Sequence, residues 1–135
     1  MKATEILTEG LALDKAEQII KHFIKFCQQN LNLDTLPKID LITGSEQSVQ
    51  NKSFGGYGGH HIRLSISNRH IMDVCRTLAH ELVHFKQDLD GALDTMDDPG
   101  ADGSPIENEA NAKAAVIMRK WGKQYPKLFA QQAVE

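Results

Sequence analysis

His80, Glu81 and His84 form the pattern His-Glu-x-x-His within His80-Glu81-Leu82-Val83-His84. On a helix, residues four apart stand on one face, one turn above the other. Two imidazoles so placed can hold one Zn²⁺. The carboxylate beside the first can take a proton from a water that the metal activates. The pattern points to metal-assisted hydrolysis, with His80 and His84 as metal ligands and Glu81 as general base.

The surrounding residues supply the helix that the motif needs. Ile71, Cys75, Leu78, Leu82, Phe85 and Leu89 recur at three- and four-residue steps over residues 69–89. At about 100° per residue they centre nearly opposite the two histidines. The helix is expected to bury that stripe and turn both imidazoles the other way. Asp73 and Thr77 fall on the histidine side. Asp73 reads either as a second partner for a ligand imidazole or as a first-turn acid favoured by the helix dipole.

A catalytic zinc site usually has three protein ligands and one open position. The histidines are His22, His60, His61, His70, His80 and His84, so none lies downstream of the motif. The metzincin extension needs a glycine at position 87 and a histidine at position 90, where this chain has Gln87 and Asp90. A downstream third ligand must therefore be a carboxylate. Asp88, Asp90, Asp94, Asp97, Asp98 and Asp102 offer one from an acidic loop, and Glu107 and Glu109 from the helix that follows. The helix is favoured, because a rigid element holds ligand geometry better than a Gly/Pro-rich loop. Glu107 and Glu109 flank its apolar stripe on opposite sides, and helical geometry does not choose between them. Glu107 also has a structural task open to it in a capping box with Ser104.

The motif followed by Pro105-Ile106-Glu107-Asn108-Glu109-Ala110-Asn111 resembles the gluzincin pattern of metallopeptidases. It is most similar to the small ImmA/IrrE-like peptidase domains, over roughly residues 62–121. In those domains a Glu-Ala-Asn segment on the following helix provides the third zinc ligand, so the resemblance implies Glu109 in that role. Ala112 and Lys113 depart from the family, which has an apolar or aromatic residue at the first of these positions. The resemblance also implies a zincin-like fold and a strand before the motif helix that pairs with an extended substrate, a place held by residues 60–67. The length and single-domain plan look like those of small peptidases encoded by bacteriophages.

Around these residues the chain reads as one α+β domain covering residues 1–135, a small, mostly antiparallel sheet packed with the motif helix and flanking helices. Residues 13–30 have helical periodicity, with Ala16, Ile19, Ile20, Phe23, Ile24 and Cys27 as the buried stripe and Asp14 as a cap. Residues 36–43 and 60–67 alternate as strands do, and 47–54 do so more weakly. Gly55-Gly56-Tyr57-Gly58-Gly59 reads as a turn or flexible loop beside the substrate strand. Residues 90–103 read as a surface loop. Ser104-Pro105-Ile106-Glu107 announces a helix with Ser104 as cap, a stripe of Ile106, Ala110, Ala114, Ile117 and Trp121, and an end at Gly122 and Pro126.

The composition is that of an ordinary globular chain, 41% apolar and 24% charged. A net charge of −3 with scattered Lys and Arg gives no case for nucleic acid. No run approaches a membrane span, and residues 1–10 lack the basic-then-apolar order of a signal peptide. Cys27 and Cys75 each lie in an apolar stripe and read as buried thiols, which fits a cytoplasmic, reducing compartment. The expected activity is that of a zinc metalloendopeptidase acting on extended protein or peptide segments with one Zn²⁺. Tyr57, His60, His61, Arg63 and Tyr125 are the candidates for stabilising an oxyanion. Two other functions fit the same residues: an inactive peptide-binding module on this scaffold, and a structural zinc domain with a closed coordination sphere.

Overall fold

A computed structural model describes residues 11–43, 55–95, 103–127 and 134. Among the described residues, three α-helices and a three-stranded sheet form a small α+β arrangement. In chain order these are α1 (Leu13–Leu31), β1 (Lys38–Ile42), β2 (Gly55–Gly58), β3 (His61–Ser65), α2 (Ile71–Leu89) and α3 (Pro105–Gln124). A 3₁₀ turn, Ala92–Thr95, follows α2.

The motif helix α2 lies at the centre, and its boundaries follow from local chemistry. His70 caps its start, its Nδ1 accepting from the Met72 N–H at 3.1 Å. Ile71, Cys75, Leu78, Leu82 and Phe85 are buried as the stripe predicts, whereas Leu89 is exposed. The histidine face is covered too: Val83, His84 and Gln87 are buried along with Glu81. The cover comes from α3, which makes its most extensive contact with α2. Ile106, Ala110, Ala114, Ile117 and Trp121 all point inward from α3. Its helix runs through Gly122 to Gln124, past the expected end. Helix α1 closes the other side, with Phe23 and Trp121 rings 4.5 Å apart at the heart of the core. Asp14 sits in the first turn of α1 rather than at its cap, which is Ala12.

The sheet has the order β1-β3-β2. It is mixed rather than mostly antiparallel, for β1 runs parallel to β3 and β2 antiparallel to it. Ile62 and Leu64 of the central strand are fully buried, while Arg63 points out. The glycine run, expected as a loop, supplies β2 and its turn. Gly59 (φ 57°) and His60 (φ 59°) are the two residues between Gly58 and its partner His61. Positive φ at both positions is the signature of a type I′ hairpin turn, whose twist suits a tight antiparallel pair. The weaker strand candidate at 47–54, residues 96–102 of the acidic loop and residues 1–10 lie outside the described residues.

Candidate metal centre

Helix α2 places His80 and His84 one turn apart with their Nε2 atoms 3.1 Å from each other. The first turn of α3 completes the cluster. Glu107 Oε2 lies 3.1 Å from His80 Nε2, and Oε1 lies 3.0 Å from His84 Nε2. Among the described residues these three are the group of His, Cys, Asp and Glu side chains that could hold a metal ion.

The carboxylate that α3 brings to the two histidines is Glu107, not the expected Glu109. Ser104 sets this up: its Oγ accepts from the Glu107 N–H at 3.1 Å and fixes where α3 begins. The Glu107 side chain then reaches across to the histidines rather than serving only the cap. Glu109 is rotated away by about 200° of helix. It accepts a hydrogen bond from Gln87 Nε2 at 2.8 Å and pairs with Lys113 at 3.6 Å. The sequence held a signal for Glu107. Asn111 stands four residues after it, hence on the same face, and Asn111 hydrogen-bonds His80.

The donor set fits zinc. Two neutral imidazoles and one carboxylate are ligands that a hydrolytic zinc site uses. Metal–ligand bonds of about 2.05 Å at tetrahedral angles separate donor atoms by roughly 3.3 Å; the two Nε2 atoms lie 3.1 Å apart, and each has a different oxygen of Glu107 at 3.0 or 3.1 Å.

Glu81 lies beside this cluster and is 8% exposed. Burial pushes its carboxyl up to about 7, with His84 pulling it down and Glu107 pushing it further up. His80 is held below the usual imidazole value by burial and by His84, against the opposing pull of Glu107 and Asn111. Glu81, His84 and Glu107 border a cavity of about 270 Å³ whose apolar wall is Tyr57, Leu93 and Ile106.

Of the oxyanion candidates, Tyr57 alone lines this cavity among the described residues. Its hydroxyl donates to Asp88, and its phenol is pushed up by burial and by that bond. The single phenolic proton is therefore committed in this arrangement. His60 also approaches Asp88, at 3.5 Å, from the hairpin turn. His61 faces Asp40 at 2.7 Å, and Tyr125 packs against His22, Phe26 and Trp121. Asp73 is exposed and paired with Arg76, so it is a first-turn acid and not an imidazole partner. Gln87, which sequence reasoning used only to exclude a metzincin, is instead bonded to His84 Nδ1 at 2.7 Å.

No protein-family model, curated protein or solved structure matches this chain. No helix among the described residues is long and apolar enough to cross a membrane.

Proposed function

We propose that the protein is a zinc-dependent metallopeptidase that cleaves peptide bonds in extended protein or peptide segments. The observation that carries this reading is the convergence of His80, His84 and Glu107 on one point, with the buried carboxyl of Glu81 at its side. When bound, Zn²⁺ supplies Lewis-acid activation of a carbonyl and of water. The chain's own residues account for the rest. Glu81, with its carboxyl raised to about 7 by burial, is matched to accept a proton near neutral pH and return it to the leaving amine.

The substrate strand in this reading moves from β3 to β2. Strand β3 is flanked on both sides, by β1 and β2, and has no edge to offer. Strands β1 and β2 are the outer strands of the described sheet, and β2 is the one that borders the cavity, through Gly56 and Tyr57. An extended peptide laid along it would gain main-chain hydrogen bonds, the usual means of strand addition. Tyr57, Leu93 and Ile106 would receive an apolar side chain next to the scissile bond. A cytoplasmic setting belongs to the same proposal and is supported by two buried free thiols, Cys27 and Cys75.

The test is peptide-library cleavage by zinc-loaded protein, by chelated protein and by Glu81→Gln. Hydrolysis should vanish in the last two, while Glu81→Gln still binds zinc. Cleavage that survives in Glu81→Gln would sink the mechanism, and zinc binding without any cleavage by the unmodified protein would leave a binding module.

A further inference from the structure

Gln87 is 3% exposed, and its polar atoms are fully engaged. Its Nε2 donates to the Ile106 carbonyl at 3.1 Å and to Glu109 Oε1 at 2.8 Å. A carbonyl and a carboxylate only accept, so the NH₂ end of the amide must face them. Turning the amide over would press its oxygen against two other oxygens. The Gln87 Oε1 is thereby aimed at His84 Nδ1, 2.7 Å away. An amide oxygen cannot donate, so the hydrogen of that bond belongs to Nδ1. Neutral His84 is left with a bare Nε2, and that atom points at Glu107 and His80.

We propose that Gln87 is a positioning residue, anchored by Glu109 and the Ile106 carbonyl, that holds His84 in the tautomer and orientation presenting Nε2 to a metal. The inference rests on the zinc reading above. It gives Glu109 a place one hydrogen bond behind the ligand rather than on the metal. It also ties two elements together: Gln87 leaves α2 three residues after His84 and grips the first turn of α3, next to Glu107. One side chain orients one ligand and docks the turn that carries another. Hydrogen-bond partners behind metal-bound histidines set tautomer and ring orientation, and their loss typically lowers metal affinity about 10–100-fold.

The test uses two readouts on the full chain. In metal-free protein at alkaline pH, ¹⁵N spectra of the imidazoles report which nitrogen of His84 carries hydrogen. The unmodified protein should show Nδ1–H, and Gln87→Leu should lose that preference. Zinc affinity, measured by competition with a chromophoric chelator, should fall about 10–100-fold in Gln87→Leu. Glu109→Leu, at an exposed position, should weaken zinc by a smaller factor and Glu109→Gln should restore it, so that the Glu109 pair decides the matter if Gln87→Leu does not fold. An Nε2–H tautomer in the unmodified protein, or unchanged zinc affinity in Gln87→Leu or Glu109→Leu, overturns the proposal. Failure of the unmodified protein to bind zinc overturns the metal reading instead, while the tautomer still reports on Gln87.

Discussion

Two glutamates two residues apart on α3 have different fates, and the difference is angular. A helix turns about 100° per residue, so Glu107 and Glu109 look in nearly opposite directions. The first faces His80 and His84, and the second faces Gln87 and Lys113. Removing a ligand should hurt more than removing a group behind one. Glu107→Ala is expected to weaken zinc by more than the roughly 100-fold upper range of an outer partner, and Glu109→Ala by less. Equal losses in a zinc titration would contradict this division. Glu81 gives a second prediction. Its folded carboxyl lies near 7, above the ordinary value of 4.5. A raised folded value means the proton is bound more tightly in the folded state. The stability that this confers is present in full below about pH 4.5 and is lost as pH rises through about 7. Metal-free protein should therefore lose about 3 kcal/mol relative to Glu81→Gln across that window. Urea unfolding with chelator, at several pH values, measures it. Parallel pH profiles for the two proteins would show that Glu81 is not strained by burial.

At the scale of elements, β2 shows why glycine sits where a strand former would be expected. An added Cβ at Gly55 would meet Thr77 Cγ2 at 2.6 Å, with Glu81 Cγ 3.8 Å away. Thr77 cannot simply turn aside, for its hydroxyl donates to the Asp73 carbonyl and accepts from Arg69. The bare backbone lets β2 lie directly on α2 beside Glu81. Gly55→Ala should cost about 1–3 kcal/mol, the usual range for overpacking, and should lower the proposed peptidase activity by lifting β2 from Glu81. Thermal unfolding with a cleavage assay checks both, and an unperturbed variant would mean that the approach is looser than 2.6 Å implies. The same run explains what the sequence could not convey. Helices α1, α2 and α3 were legible because a buried stripe repeats every three or four residues. Strands β1 and β3 were legible from the alternation of Ile39 and Leu41, and of Ile62 and Leu64. A strand of Gly55, Gly56, Tyr57 and Gly58 has no side-chain alternation, and its role depends on contact with a distant helix. The rotation of α3 about its axis was hidden for a related reason. The Ser104 cap was legible, but Gln87, which docks the first turn of α3, is a polar residue that carries no periodic signal.

For the molecule as a whole, the centre joins the two helices that contact each other most, α2 and α3. The Glu107 oxygens and the two Nε2 atoms lie within 3.0 to 3.1 Å of one another in a largely buried place. Gathering acceptor atoms in this way opposes the packing of α3 on α2 unless a proton or a metal stands between them. Under the proposed zinc reading, binding and folding are linked, because the unfolded chain does not hold His84 and Glu107, 23 residues apart in sequence, at one point. A ligand that binds only the folded state stabilises it by about 4 kcal/mol at a thousand times its dissociation constant. Zinc should raise the unfolding midpoint of this protein by a corresponding amount, and chelator should reverse it. Glu107→Ala should abolish that response while retaining most of the metal-free stability, since its loss relieves the crowding. Calorimetry with and without zinc tests this, and a midpoint indifferent to zinc in the unmodified chain would mean that His80, His84 and Glu107 are not a metal centre.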